Sequence, residues 1–221
     1  MSEAHPPTGP EPHRGPGTGA WLALAGLFLA LVTLFSIIQP LGRTPDETAH
    51  MQYVKFLAQN HRLPIFAPFG GGEGGYEAQH PPLYYALMAV AYEATGGLAE
   101  RWRWHALRWL TALLVGGGGF LVSRALFLRL WRDAPWIAFA GTACTMLMPL
   151  TILYACYVNP DGPAFIAATV ALYLSLLTAR EKPSVRRAVV LGLTLAAASL
   201  IKISALVAVV PAAIAWVYLA R

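Results

Sequence analysis

From Ala20 the chain runs to Ile38, nineteen residues, without one charged side chain. At about 1.5 Å per residue this makes a helix of roughly 28 Å, close to the ~30 Å hydrocarbon thickness of a bilayer. Further apolar runs lie at 105–123, 135–154, 163–177, 187–201 and 203–219. The last two belong to one stretch, 188–220, which is too long for a single crossing and is broken at Lys202. The pattern predicts an all-α, polytopic transmembrane bundle with about six spans. Composition agrees: 57% of residues are hydrophobic and only 12% charged, about half the charge of a soluble domain.

The first run is too long for a signal-peptide core, and no small-residue cleavage site follows it, so it reads as an uncleaved first span. Residues 1–19 are rich in Pro, Gly and His and read as a disordered tail. Residues 20–221 read as one transmembrane module. Segment 82–94 is apolar but short, which fits an interfacial helix better than a crossing.

The net charge of +5 would raise nucleic acid as a partner in a soluble protein. Here the basic residues flank apolar runs and report topology instead. With 82–94 not crossing, Arg124, Arg129, Arg132, Arg180, Arg186 and Arg187 share the side of the tail, which the positive-inside rule makes cytoplasmic. A large external loop, 39–104, carrying interfacial helices, then shares the opposite face with Asn159 to Asp161. Cys144 and Cys156 fall on one predicted helix, about 18 Å apart, too far to bridge.

Four clusters carry chemistry. The first is Thr44-Pro45-Asp46-Glu47 with His50. Thr44 as N-cap, Pro45 at the first helical position and Glu47 closing a capping box explain it locally. A carboxylate and an imidazole one turn apart also share a proton or hold a metal. Asp46, His50, Tyr53 and Leu57 form one stripe, and Met51, Val54 and Ala58 an apolar edge suited to the bilayer surface. The second is Glu77-Ala78-Gln79-His80-Pro81-Pro82-Leu83-Tyr84-Tyr85. Its prolines make a rigid turn that aims Glu77 and His80, or simply precedes an aromatic anchor in which Tyr84 and Tyr85 meet lipid and water.

The third is Asn159-Pro160-Asp161-Gly162-Pro163, built of turn formers, in which Asp161 caps the next helix or faces the cavity of Asp46. The fourth is Lys202, an ammonium inside an apolar run. Such a residue is a functional candidate by default, suits a phosphate, and alternatively snorkels to the headgroups. Gly70 to Gly75 reads as a flexible loop without the Lys-Ser/Thr of a phosphate cradle. Gly116 to Gly119 permits close helix approach.

In this order the clusters resemble GT-C-type membrane glycosyltransferases. The nearest group is family 39, which includes protein mannosyltransferases and the aminoarabinose transferase of lipid A. The resemblance covers roughly residues 20–211 and rests on Pro45-Asp46-Glu47-x-x-His50, His80-Pro81-Pro82-Leu83-Tyr84-Tyr85, Asn159-Pro160-Asp161 and Lys202. It implies a polyprenyl-phosphate sugar donor, a lipid or protein acceptor, and an extracytoplasmic site on a cell (inner) membrane. It assigns Asp46, Glu47 and Asp161 to catalysis, and His80, Tyr84 and Lys202 to the donor. A divalent ion, where one is used, would draw on Asp46, His50, Glu77 and His80. Family members carry further spans, so the chain corresponds to an N-terminal portion. The rival reading is a non-catalytic polytopic protein, a carrier, lipid-binding subunit or scaffold; carriers concentrate polar groups at the bilayer midplane, whereas here they sit in loops.

Overall fold

The computed structural model describes residues 15–65, 67, 72–181 and 184–219, and these contain helices and turns but no strand. Most of the predicted tail lies outside them, as do Gly70 and Gly71 of the glycine loop; the first helix, α1 (Thr18–Ile38), begins two residues before Ala20. Two helices follow, α2 (Glu47–Asn60) and α3 (Leu83–Ala94), with a 3-10 turn at Tyr76–Gln79 between them. Next, α4 (Glu100–Leu113), a π-helical segment (Leu114–Gly118) and α5 (Gly119–Leu130) form one continuous rod. α6 (Pro135–Leu147) and α7 (Pro149–Ala155) meet at a bend of 55°. α8 (Asp161–Arg180) and α9 (Val185–Ile201) pack as a pair, and after Lys202 a 3-10 segment (Ile203–Ala208) leads into α10 (Val209–Leu219).

Among the described residues three helices are long and apolar enough to cross a membrane: α1, the α4–α5 rod and α8. A fourth is obtained if α6 and α7 count as one bent crossing. Only 28%, 39% and 33% of their most apolar windows are buried, so most of that surface needs an apolar surrounding. These are membrane-protein features. α9, at 17 residues, and the apolar helix Ile203–Tyr218 are shorter than the other crossing candidates.

α3 has 12 residues and at 1.5 Å per residue reaches about 18 Å, too short to cross. Its Tyr84, Tyr85, Met88 and Tyr92 face a core shared with α2 and α4, while Leu83, Leu87 and Val90 form an exposed stripe. Met51, Val54 and Ala58 of α2 are all under 10% exposed and pack into this same core. The expectation that they lie on the bilayer is therefore corrected, since α3 and α4 cover them. The rod passes close to its neighbours at glycine, as expected. A Cβ on Gly116 would stand 2.9 Å from the Phe28 ring of α1, and Gly118 faces Ile166 of α8.

The helices share two poles. At one, Trp21 stacks under the Arg124 guanidinium, Glu181 pairs with Arg129 and Arg187, and Arg132, Arg180 and Arg186 stand nearby in sequence. The other pole gathers the α1–α2 turn, α2, α3, the loop 156–160 and Lys202. Cys144 lies in α6 and Cys156 just beyond α7, across the bend rather than on one helix, and both thiols are free.

Candidate active site

The first motif splits at Asp46. Helix α2 starts at Glu47 rather than Pro45, and Asp46 is its N-cap residue in the left-handed region, φ 58°, without a side-chain capping bond. That conformation is uncommon outside glycine and is tolerated best by Asn and Asp. It turns the two neighbouring acids in opposite directions, Asp46 to the surface and Glu47 to the interior.

Glu47 is fully buried and serves as a junction. Its carboxylate accepts from Arg108 Nε at 2.7 Å and Nη2 at 2.6 Å. It also accepts from the Val158 amide at 3.2 Å, the Thr44 hydroxyl at 2.9 Å and the Gly42 amide at 3.0 Å. Arg108, also 0% exposed, donates in turn to the Ser36, Gln39 and Pro40 carbonyls at the end of α1. Burial alone would raise the Glu47 pKa; the Arg108 and amide bonds outweigh it and hold the carboxyl below its usual range. The expected capping box is thus replaced. Thr44 donates to Glu47, and the acid ties α1, α2, α4 and the loop after α7 together. With every lone-pair direction engaged inside the protein, Glu47 offers no free oxygen to the surface, unlike Asp46.

Asp46 instead lines a polar pocket of about 390 Å³ with Thr44, Thr48, Gln52 and Tyr76. The Tyr76 hydroxyl donates to Asp46 Oδ1. Partial burial and then the Asp46 carboxylate push the Tyr76 phenol up, so it stays a donor.

Beside this pocket the proline motif delivers its acid and imidazole. Glu77, 4% exposed, sits on the 3-10 turn with His80 at its end. Glu77 Oε2 lies 2.8 Å from His80 Nε2 and 3.5 Å from His50 Nδ1, close in distance yet without a well-aligned hydrogen bond. Burial tends to raise the Glu77 pKa, but His80 and His50 lower it below the usual value. Burial lowers the His50 pKa, which keeps the ring neutral near pH 7. Its Nδ1 is 2.8 Å from the Tyr85 hydroxyl. Burial raises the phenol pKa, so Tyr85 stays protonated beside the imidazole.

Tyr84 and Tyr85 are 2% and 0% exposed, so neither is an interfacial anchor. Their hydroxyls find protein partners, Tyr84 with Thr111 at 2.8 Å and Tyr85 with His50. The Tyr84 ring also lines an apolar groove of about 480 Å³ with Leu83, Leu87, Leu114, Ile166 and Ile201.

The third and fourth motifs meet. Asn159 Oδ1 accepts from the Asp161 and Gly162 amides at 2.8 and 3.3 Å, so Asn159, rather than Asp161, satisfies the start of α8. Asp161 is left free to accept from Lys202 Nζ at 2.5 Å. Both groups keep partial exposure, 21% for Lys202 and 29% for Asp161. Asp46 and Asp161 both fall within electrostatic reach of His50 and of Tyr157. All four motifs therefore converge at one pole.

The ligand set Asp46, His50, Glu77 and His80 is only partly assembled. Its two histidine nitrogens point to one carboxylate oxygen, His50 is also engaged by Tyr85, and Asp46 turns to Tyr76. Among the described residues no three His, Cys, Asp or Glu groups come together as a metal-holding group. Sequence reasoning missed Arg108, although an arginine inside a predicted span was a signal, and Tyr76, which carried none. Comparison with family models, with curated proteins and with solved structures finds no match.

Proposed function

We propose that this chain acts in a membrane glycosyltransferase, moving a sugar from a polyprenyl-phosphate donor to a hydroxyl of a lipid or protein acceptor. One observation carries the reading. A polar pocket holding Asp46 stands at the same pole as the Lys202–Asp161 pair, and an apolar groove begins beside that pair, at Ile201 and Pro163. An amphipathic phosphate ester with a sugar at one end and an isoprenoid chain at the other needs these three surfaces together.

In this reading the isoprenoid lies in the groove beside Tyr84, and its phosphate displaces Asp161 as the partner of Lys202. The acceptor hydroxyl enters the Asp46 pocket, and Asp46 takes its proton as the oxygen attacks the anomeric carbon. The bond to the phosphate oxygen breaks on the opposite face, with inversion, and the leaving phosphate carries the electron pair beside the Lys202 ammonium. Glu77, next in the chain to the Tyr76 that lines the pocket, and its neighbour His80 orient the sugar. Six crossings, with α9 and Ile203–Tyr218 as the fifth and sixth, put the arginine pole and the tail on the cytoplasmic side of the cell membrane and 39–104 outside.

Radiolabelled polyprenyl-phosphate sugars presented to purified protein in lipid test this. Label is expected to move from at least one donor to a hydroxyl acceptor, with Lys202→Met lowering kcat by about 100-fold. Release to water alone points to a hydrolase, and no release from any donor favours the non-catalytic reading.

A further inference from the structure

A second cavity lies remote from this site. It is a cleft of about 770 Å³ between α5, α8 and α10, at the arginine pole. α8 has 20 residues, so its two ends are about 30 Å apart, and Asp161 and Arg180 mark opposite ends. Arg129, Arg132 and Arg180 border the cleft. Below them Leu172 and Leu176 are one turn apart on α8, and Pro211, Ile214 and Tyr218 repeat at helical spacing on α10. Ser175 also lines it, but its hydroxyl is already spent on the Ala171 carbonyl at 2.6 Å. The cleft therefore offers cationic groups at the helix ends and a hydrocarbon wall extending away from them.

Charge at this pole is in excess. The nearby carboxylate of Glu181 is shared by Arg129 and Arg187, so one acid answers two guanidinium groups. Arg132 and Arg180 add further positive charge with only Asp133 as another acid in the adjoining turn. A free phosphate would meet the arginines and leave the apolar wall bare. A zwitterionic lipid would bring its own cation against them. We propose that this cleft binds an anionic phospholipid, with the headgroup phosphate on Arg132 and Arg180 and the acyl chains along Leu172, Leu176 and Ile214. Planar guanidinium forks suit a phosphate, and basic pockets between spans at a membrane surface recruit acidic headgroups.

The test is native mass spectrometry of delipidated full chain in neutral detergent. It is titrated with phosphatidylglycerol, with phosphatidylcholine of the same acyl chains, and with glycerol phosphate. Phosphatidylglycerol is expected to bind at least about tenfold more tightly than phosphatidylcholine, and glycerol phosphate is expected not to compete. Arg132→Gln with Arg180→Gln should weaken phosphatidylglycerol about 30-fold. Leu176→Trp, which fills the apolar wall without changing charge, should also weaken it. Equal affinity for the two lipids overturns the proposal, and that comparison needs no variant. Competition by glycerol phosphate at the affinity of the lipid would make this a phosphate site instead and also overturn it. So would full binding by both variants.

Discussion

Asp46 and Glu47 are adjacent in the chain and opposite in environment, and the backbone at φ 58° separates them. Their substitutions should separate as well. Glu47 and Arg108 are 0% exposed, and removing one partner of a buried ion pair strands the other. Arg108→Ala should cost about 3–5 kcal/mol, read as a lowered unfolding midpoint in detergent. Asp46→Asn should leave that midpoint unchanged, because Asn accepts the left-handed conformation. Equal loss in both variants would contradict the division of roles. The buried titratable groups also set a pH dependence. Burial lowers the His50 pKa, so the unfolded chain takes that proton more readily, and stability present above pH 6.5 declines below it. Glu47 and Glu77 are held below 4.5, so their contribution is intact above pH 4.5 and is lost as the pH falls further. A midpoint that is flat from pH 7 to pH 4 would refute this assignment. Thr44-Pro45-Asp46-Glu47 was visible as a motif, but which acid faces outward was not. The choice is made by Arg108, 61 residues away, and by the Val158 amide, 111 residues away.

At the level of elements, hydrophobic period marks a helix but not what covers it. Met51, Val54 and Ala58 have the same spacing whether they face lipid or α3, and only the tertiary arrangement reveals the second. Length was more informative. The short apolar run that forms the 12 residues of α3 already favoured an interfacial helix over a crossing, and the glycines of the rod already permitted close neighbours. The break at Met148 was legible in principle, since the residue before a proline leaves the helical region, and Met148 has φ −58° and ψ 130°. Close approach gives a prediction. A Cβ on Gly162 would collide with Val115 and sit 3.0 Å from the Tyr154 carbonyl oxygen, so Gly162→Ala should destabilise by about 1–3 kcal/mol. Gly192 in α9 has nothing within 4 Å, so Gly192→Ala should be neutral or stabilise by up to about 1 kcal/mol through helix propensity. The same thermal assay on the two variants decides it, and a costly Gly192→Ala would contradict the packing described for α9.

The whole molecule is organised by its two poles. One holds Asp46, Glu77, His50, His80 and the Lys202–Asp161 pair, and the other a cluster of arginines around Glu181. In a background lacking Cys144 and Cys156, a cysteine at Thr48 should react with a membrane-impermeant maleimide from outside intact cells, and one at Ser184 only after permeabilisation. Reaction of both from the same side would refute the alternating path of the spans. The convergence of four short motifs, spread from Thr44 to Lys202, was foreshadowed by their shared predicted face. The pairing of Lys202 with Asp161 was not, because Asn159 had first to take over the start of α8. The most direct measurement is sugar transfer from polyprenyl-phosphate donors by purified wild-type and Asp46→Asn proteins of equal thermal stability. Transfer by wild type alone is the predicted result. Equal transfer by the two proteins would contradict the assignment of the chemistry to the Asp46 pocket.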